Sequence, residues 1–253
     1  MSFDSLGLLP ALLNNVRAAG YVDPTPIQAA TIPLVLDGQD VLGCAQTGTG
    51  KTAAFALPIL QHLTLHPRKG PRRIRCLVLT PTRELAMQIH ENFVLYGQSL
   101  PIQTCVVFGG VGQQAQVEAL QNGCDVLVAC PGRLWDLMNQ KLVSLSHIEE
   151  FVLDEADRML DMGFIHDVRR IAAQLPQKHQ TLLFSATMPS EVEKLAMDLL
   201  HDPQKVAVDP VSSPVKAIEQ YMYYMIKPEK RDEARFMFLH NLDRSGAIKI
   251  DNV

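Results

Sequence analysis

No run in the 253-residue sequence stays apolar for the roughly 20 residues a membrane-spanning helix needs. The N-terminus Met1-Ser2-Phe3-Asp4 lacks the basic-then-apolar order of a secretory leader, so a cytoplasmic protein with no membrane partner is expected. Cysteine is sparse. Cys44, Cys76, Cys105, Cys124 and Cys130 match no zinc or haem spacing and mostly fall inside strand-like runs, which suits reduced, buried small hydrophobes. Nor is there an excess of positive charge: with a formal net charge of −4, any nucleic-acid contact has to be a local patch rather than a global field. Internal repeats and low-complexity tracts are also missing. What remains, 47% hydrophobic and 20% charged, is the composition of an ordinary globular chain, long enough for one good core and part of another unit.

Against that background the stretch Ala45-Gln46-Thr47-Gly48-Thr49-Gly50-Lys51-Thr52 stands out. It follows the apolar run Asp40 to Cys44 and precedes a helix-compatible segment, so it reads as strand, glycine-rich loop and helix N-terminus. Backbone N–H groups and the helix dipole favour phosphate at such a place. Gly48 and Gly50 would let the backbone curl around β- and γ-phosphates, Lys51 would neutralise their charge, and the Thr52 hydroxyl would ligate a magnesium ion. The general phosphate-loop pattern opens with Gly, whereas Ala45 stands here. A Gly-Thr-rich turn without a ligand is the plain alternative, and the spacing and flanks both speak against it.

The apolar runs Ile74 to Thr80, Thr104 to Phe108, Asp125 to Cys130, Phe151 to Asp154, Thr181 to Ser185 and Val206 to Val208 are short, branched-aliphatic and nearly continuous. Runs apolar on both alternating faces suit parallel strands covered by helices on each side. Helical stripes fall between them: Leu9, Leu12, Leu13 and Val16; Leu85, Ile89 and Phe93; Val117 and Leu120; Ile165, Val168 and Ile171. A helix starting at Thr25 with Pro26 in its first turn should run to Gly38, and one from Thr52 to Leu65 should kink or restart at Pro58. Ser190 with Glu193 has the spacing of a capping box for a helix through Leu200. This alternation implies an α/β fold with a mostly parallel central sheet, helices on both faces, and a site at the carboxyl edge. The basic turn His66 to Arg73 reads as solvated surface, with RNA contact as its lesser alternative. Asp209 to Pro214 has the texture of a linker, giving a first domain over 1–208, a linker over 209–216 and the truncated start of a second domain over 217–253.

The second nucleotide motif is Val152-Leu153-Asp154-Glu155-Ala156-Asp157. An aspartate ending a buried strand is costly unless paired or bound to metal, which makes Asp154 a candidate magnesium partner opposite the phosphate loop. Glu155 is placed to orient or deprotonate an attacking water. Acidic residues often end strands, so this motif gains its weight from the phosphate loop.

With these residues in view the chain resembles the N-terminal RecA-like P-loop domain of a DEAD-box ATP-dependent RNA helicase, its general texture being that of a bacterial, RhlE-like branch. The family name is spelled by Asp154 to Asp157, and Pro81-Thr82-Arg83-Glu84-Leu85, Gly109-Gly110, Pro131-Gly132-Arg133 and Ser185-Ala186-Thr187 follow the family order. The family's adenine-reading Q motif, within 1–29, matches Gly20 to Gln28 with Phe3 as its upstream aromatic. The resemblance implies that Gln28 hydrogen-bonds the adenine edge with both amide functions, that Phe3 stacks on the ring, and that Tyr21 shapes the pocket. It implies catalytic roles for Lys51, Asp154 and Glu155, with ATP and Mg2+ as cofactors. Ser185 and Thr187 would hydrogen-bond Asp157 and couple nucleotide state to RNA, a role compatible with a polar strand end capping the next helix.

RNA contacts are implied for Pro81, Thr82, Arg83, Gly109, Gly110, Gly132 and Arg133, directed at phosphates and 2′-hydroxyls and therefore independent of sequence. Cys130 departs from the family's usual threonine, removing one hydroxyl donor worth about 1 kcal/mol. The family's arginine fingers would lie in the second RecA-like domain, beyond Val253, so the chain as written is expected to be a monomer that binds nucleotide, hydrolyses it poorly and unwinds nothing alone. Two other readings stay open here. One is a P-loop ATPase with no RNA role; the other is an ATP-dependent RNA clamp that closes without needing turnover.

Overall fold

The computed structural model describes residues 2–208. The expected linker and second-domain segments lie outside the described residues. Seven short strands form one parallel sheet: β1 (Val41–Cys44), β2 (Cys76–Leu79), β3 (Thr104–Val107), β4 (Val126–Ala129), β5 (Glu150–Leu153), β6 (Gln180–Ser185) and β7 (Gln204–Ala207). Their order is β3-β4-β2-β5-β6-β1-β7, and every pairing is parallel. Alternate residues feed two separate cores. Cys76, Val78, Val152, Leu182 and Phe184 point to one face with Leu12, Ile27, Phe55, Ile59 and Phe93. Leu77, Leu79, Phe151, Leu153 and Leu183 point to the other with Leu134, Leu137, Val168, Ile171 and Leu195. Burial on both faces is why the strands read as unbroken apolar runs.

The helices are α1 (Pro10–Ala18), α2 (Pro26–Leu36), α3 (Lys51–Leu65), α4 (Arg83–Tyr96), α5 (Gln114–Gln121), α6 (Pro131–Asn139), α7 (Ala156–Asp161), α8 (Ile165–Ala172) and α9 (Ser190–Leu199), after a 3-10 turn over Phe3–Leu6. None of the described helices is long and apolar enough to cross a membrane. α3 runs uninterrupted through Pro58, so the helix does not restart there. Pro58 is buried within a helix that is apolar nearly all round, and tertiary packing outweighs the one missing amide donor. The expected Ser190–Glu193 capping box is likewise corrected. Pro189 occupies the cap position, extended at φ −64° and ψ 159°, and Ser190 is already the first helical residue with its hydroxyl on the Glu191 carboxylate.

Gly43 explains how β1 and β6 approach: a Cβ there would meet the Phe184 ring at 2.4 Å. At the amino edge of β5, Glu150 is 2% exposed. Burial, reinforced by the Glu149 charge, pushes its carboxyl up to about 8 from 4.5. The folded chain therefore holds a proton that the unfolded chain releases, and this contribution to stability falls as pH rises from 4.5 to about 8. Glu150→Gln is expected to flatten that part of the stability profile, measured by denaturant unfolding across the window in divalent-free buffer; an unchanged slope would contradict the assignment.

Candidate active site

The phosphate loop leaves the carboxyl end of β1 and enters α3, with Gly48 at φ 84° and Gly50 at φ 91°, a region that glycine adopts without steric cost. Gln46, Thr47 and Gly48 are exposed, while Lys51 is 6% exposed and its Nζ donates to the Ala45 carbonyl at 2.8 Å. The loop thus curls around its own lysine. Ala45 is buried and its N–H donates to the Ser185 carbonyl at 3.1 Å, which stitches the loop's first residue to the end of β6.

Two strands away across β6, the end of β5 presents Asp154 and Glu155. The Asp154 N–H donates to the Leu79 carbonyl at 2.9 Å, and its carboxylate accepts the Glu155 N–H at 3.1 Å. Burial pushes the Asp154 carboxyl up to about 6, against the pull of Lys51. Glu155 adopts a left-handed backbone at φ 58° and ψ 54° as it opens α7, a conformation costing a non-glycine residue about 1–3 kcal/mol. The turn aims its side chain at the phosphate loop: Thr47 Oγ1 donates to Glu155 Oε1 at 3.1 Å, and Arg158 Nη1 donates to Oε2 at 3.3 Å. Lys51, Thr47, Gly48, Gly50, Thr52, Asp154 and Glu155 line one cleft of about 310 Å³. The two motifs, more than 100 residues apart, therefore form one site.

The cleft's far wall contains residues that sequence reading missed. Gln88, Asn92 and Tyr96 of α4 line it together with Leu85 and Tyr21. Their i, i+4, i+8 spacing is a polar stripe beside the apolar Leu85, Ile89, Phe93 stripe, and that was the signal available. Tyr21 and Tyr96 share a hydrogen bond between hydroxyls at 2.7 Å, and burial raises the Tyr96 phenol above its ordinary value.

The residues expected to face adenine are engaged within the protein in this structure. Gln28 is fully buried: its Oε1 accepts the Thr25 N–H at 2.9 Å and its Nε2 donates to the Gly50 carbonyl at 3.1 Å. Both amide functions already serve the protein, joining the start of α2 to the phosphate loop. Phe3 is 4% exposed and meets Tyr21 edge-on at 6.3 Å, a ring packed into the core beside the cleft's Tyr21. A Cβ on Gly50 would come within 2.4 Å of Gln28 Nε2 at a positive φ. Gly50→Ala is therefore expected to cost about 1–3 kcal/mol and to weaken nucleotide binding, measured by unfolding and by titration; a neutral outcome on both would contradict this coupling.

Asp157, Ser185 and Thr187 join in one hydrogen-bonded network. Asp157 Oδ2 accepts the Thr187 N–H at 2.9 Å and its hydroxyl at 2.8 Å, while Ser185 Oγ accepts the Asp157 N–H at 3.1 Å and donates to the Thr187 carbonyl at 2.7 Å. Burial raises the Asp157 carboxyl, but the hydrogen bonds it accepts from the Thr187 hydroxyl and N–H outweigh it and hold the group below its ordinary value.

At the ends of β2, β3 and β4 the remaining motifs converge. The Arg83 guanidinium lies 5.0 Å over the Phe108 ring, next to exposed Gly109 and Gly110. Arg133 donates to the Val111 carbonyl at 2.9 Å and to Gln116 Oε1 at 3.2 Å. Gln116, unforeseen, also accepts the Phe108 N–H and donates to the Phe108 carbonyl, which fixes the strand end. Pro81 is buried; Thr82 caps α4 by accepting the Leu85 N–H at 3.3 Å; Pro131, buried, and Gly132 open α6. Cys130, where the family's threonine was expected, is buried.

A seven-stranded parallel sheet with a phosphate loop after β1 and an acidic strand end after β5 defines a RecA-like P-loop domain. The chain belongs to the DEAD/DEAH box helicase family, whose model matches residues 25–195. It is 42% identical over 232 residues to the DEAD-box ATP-dependent RNA helicase CshA of Streptococcus pneumoniae, covering 92% of this chain and 44% of that protein. It is 44% identical over 237 residues to the ATP-dependent RNA helicase RhlB of Xanthomonas axonopodis pv. citri, covering 91% of this chain and 42% of that protein. These names are CshA and RhlB, and the RhlE-like branch stays an expectation. A crystal structure of a DEAD box protein from Methanococcus jannaschii matches with a TM-score of 0.77 at 34% identity, covering 96% of this chain and 64% of that one. The chain thus spans less than half the length of the curated relatives it matches.

Proposed function

We propose that the complete protein is an ATP-dependent RNA helicase that unwinds or remodels RNA, with the residues above as its ATP-binding half. The observation that carries this is the contact of Thr47 with Glu155 across the cleft that also holds Lys51 and Asp154. A triphosphate in that cleft has its charge met by Lys51 and loop N–H groups, while Glu155 positions the attacking water. Magnesium would be held by the Thr52 hydroxyl and the Asp154 carboxylate, a hard-oxygen donor set that suits it, and would neutralise developing phosphate charge.

Sequence-independent RNA contact is supported by the convergence of Arg83, Gly109, Gly110, Gly132 and Arg133 at neighbouring strand ends. The exposed Gly109 and Gly110 backbone and the exposed Arg83 suit phosphates and 2′-hydroxyls, with Gly132 and Arg133 half-buried beside them. The Asp157–Ser185–Thr187 network between β5 and β6 would carry nucleotide state toward that edge. Binding and turnover would alternate with closure of a second RecA-like domain over a single strand, acting in cis. In the complete protein, single-stranded RNA is expected to stimulate ATP hydrolysis whatever its sequence; turnover indifferent to RNA would favour a P-loop ATPase without an RNA role.

A further inference from the structure

The amino edge of the sheet, opposite the nucleotide cleft, carries a second cluster of ligating groups. His62, near the end of α3, brings Nε2 to 3.2 Å from Glu149 Oε2 and 3.4 Å from Glu150 Oε1. One ligand atom from each of the three residues lies within 4.8 Å of the others. Ligand atoms bound at 2.0–2.1 Å in a tetrahedron sit about 3.3 Å apart, so the two measured separations match edges of such a shell.

A second observation is independent of that spacing. Glu150 is 2% exposed, and among the described residues neither of its carboxylate oxygens has a hydrogen-bond partner. A buried carboxylate without donors is expensive as an anion, and a bound cation would take the place of its proton and satisfy it. Arg75, its side chain 4% exposed, holds both oxygens of Glu149, with Nε to Oε1 at 3.0 Å and Nη2 to Oε2, the oxygen that also faces His62, at 2.7 Å. Outer hydrogen bonds of this kind orient a metal-ligating carboxylate. Arg68 also pairs with Glu149. The His62 side chain is 44% exposed, which leaves an entry path from solvent.

We propose that His62, Glu149 and Glu150 form a binding site for a divalent transition ion of the zinc class, clipping α3 to β5. One imidazole and two carboxylates suit Zn2+ or Co2+ better than Mg2+, which prefers oxygen ligands and keeps its waters. The two guanidiniums repel a dication, so the imidazole bond has to supply what a purely ionic site would lack. α3 begins at Lys51 and β5 leads into Asp154 and Glu155, so an ion here fastens the far ends of the two elements that grip the phosphate.

The test is thermal unfolding of the full chain without nucleotide, titrated with Zn2+ and, in parallel, with Mg2+. At about one hundred times the dissociation constant, Zn2+ is expected to raise the midpoint by about 5–10 °C, with no comparable rise from Mg2+. His62→Ala, at a half-exposed position that leaves the core intact, and Glu150→Gln are each expected to abolish the rise. Glu150→Leu serves as a second buried variant if Glu150→Gln folds poorly, since it removes the carboxylate and fills the space with apolar atoms. No rise in the wild type, an equal rise with Mg2+, or a rise that persists in His62→Ala would overturn the site.

Discussion

Glu155→Gln in the complete protein is expected to lower ATP turnover by about 100- to 10,000-fold while leaving nucleotide affinity within a few-fold of wild type. The amide keeps the size and one oxygen acceptor for Thr47 Oγ1, so the loop contact at 3.1 Å survives in outline. What disappears is the negative charge that, on the proposed function, takes or orients the proton of the attacking water. Backbone strain at Glu155 is untouched because the substitution leaves its left-handed φ of 58° in place. Steady-state hydrolysis with saturating RNA, paired with nucleotide titration, separates the two effects. Equal losses in affinity and turnover would mean that Glu155 holds the site together and does not act on water.

Lys51→Ala is expected to weaken ATP binding by about 10- to 100-fold, the worth of a charge-assisted hydrogen bond at 1.5–3 kcal/mol. The side chain is 6% exposed and rests on the Ala45 carbonyl, inside the loop that would cradle the phosphates it neutralises. Its removal takes away the main positive charge facing Asp154, so the loss should appear for ATP more than for adenosine. A nucleotide titration comparing the two ligands reads this directly; equal weakening of adenosine would point to collapse of the loop.

Much of the framework was legible because its physics is local. Parallel strands buried on both faces leave continuous apolar runs, and all seven β segments fall on runs recognisable in the sequence, with β7 beginning two residues earlier than Val206. The phosphate loop and the acidic strand end were legible because their chemistry is compressed into consecutive residues. Pro58 pointed to a restart that does not occur, because its local cost was visible whereas the surrounding burial of α3 was not. Ser190 misled by one position, since its spacing to Glu193 is that of a cap but Pro189 takes the extended geometry. Gln28 was recognisable as a site residue, yet its partners, Thr25 and Gly50, depend on how α2 meets the loop. Tyr96 and Gln116 belong to the same category, as tertiary contact gave them meaning that spacing alone did not. Glu150 shows the converse: a glutamate heading an apolar strand is visible in sequence, but its lack of donors appears only in three dimensions.

The grip of one triphosphate between two turns is most directly tested by a crystal structure of the chain with a non-hydrolysable ATP analogue and Mg2+. Lys51 Nζ should have left the Ala45 carbonyl for the β- and γ-phosphates, with the terminal phosphate facing Asp154 and Glu155. A nucleotide bound outside that cleft, or one bound with Lys51 still on Ala45, would contradict it.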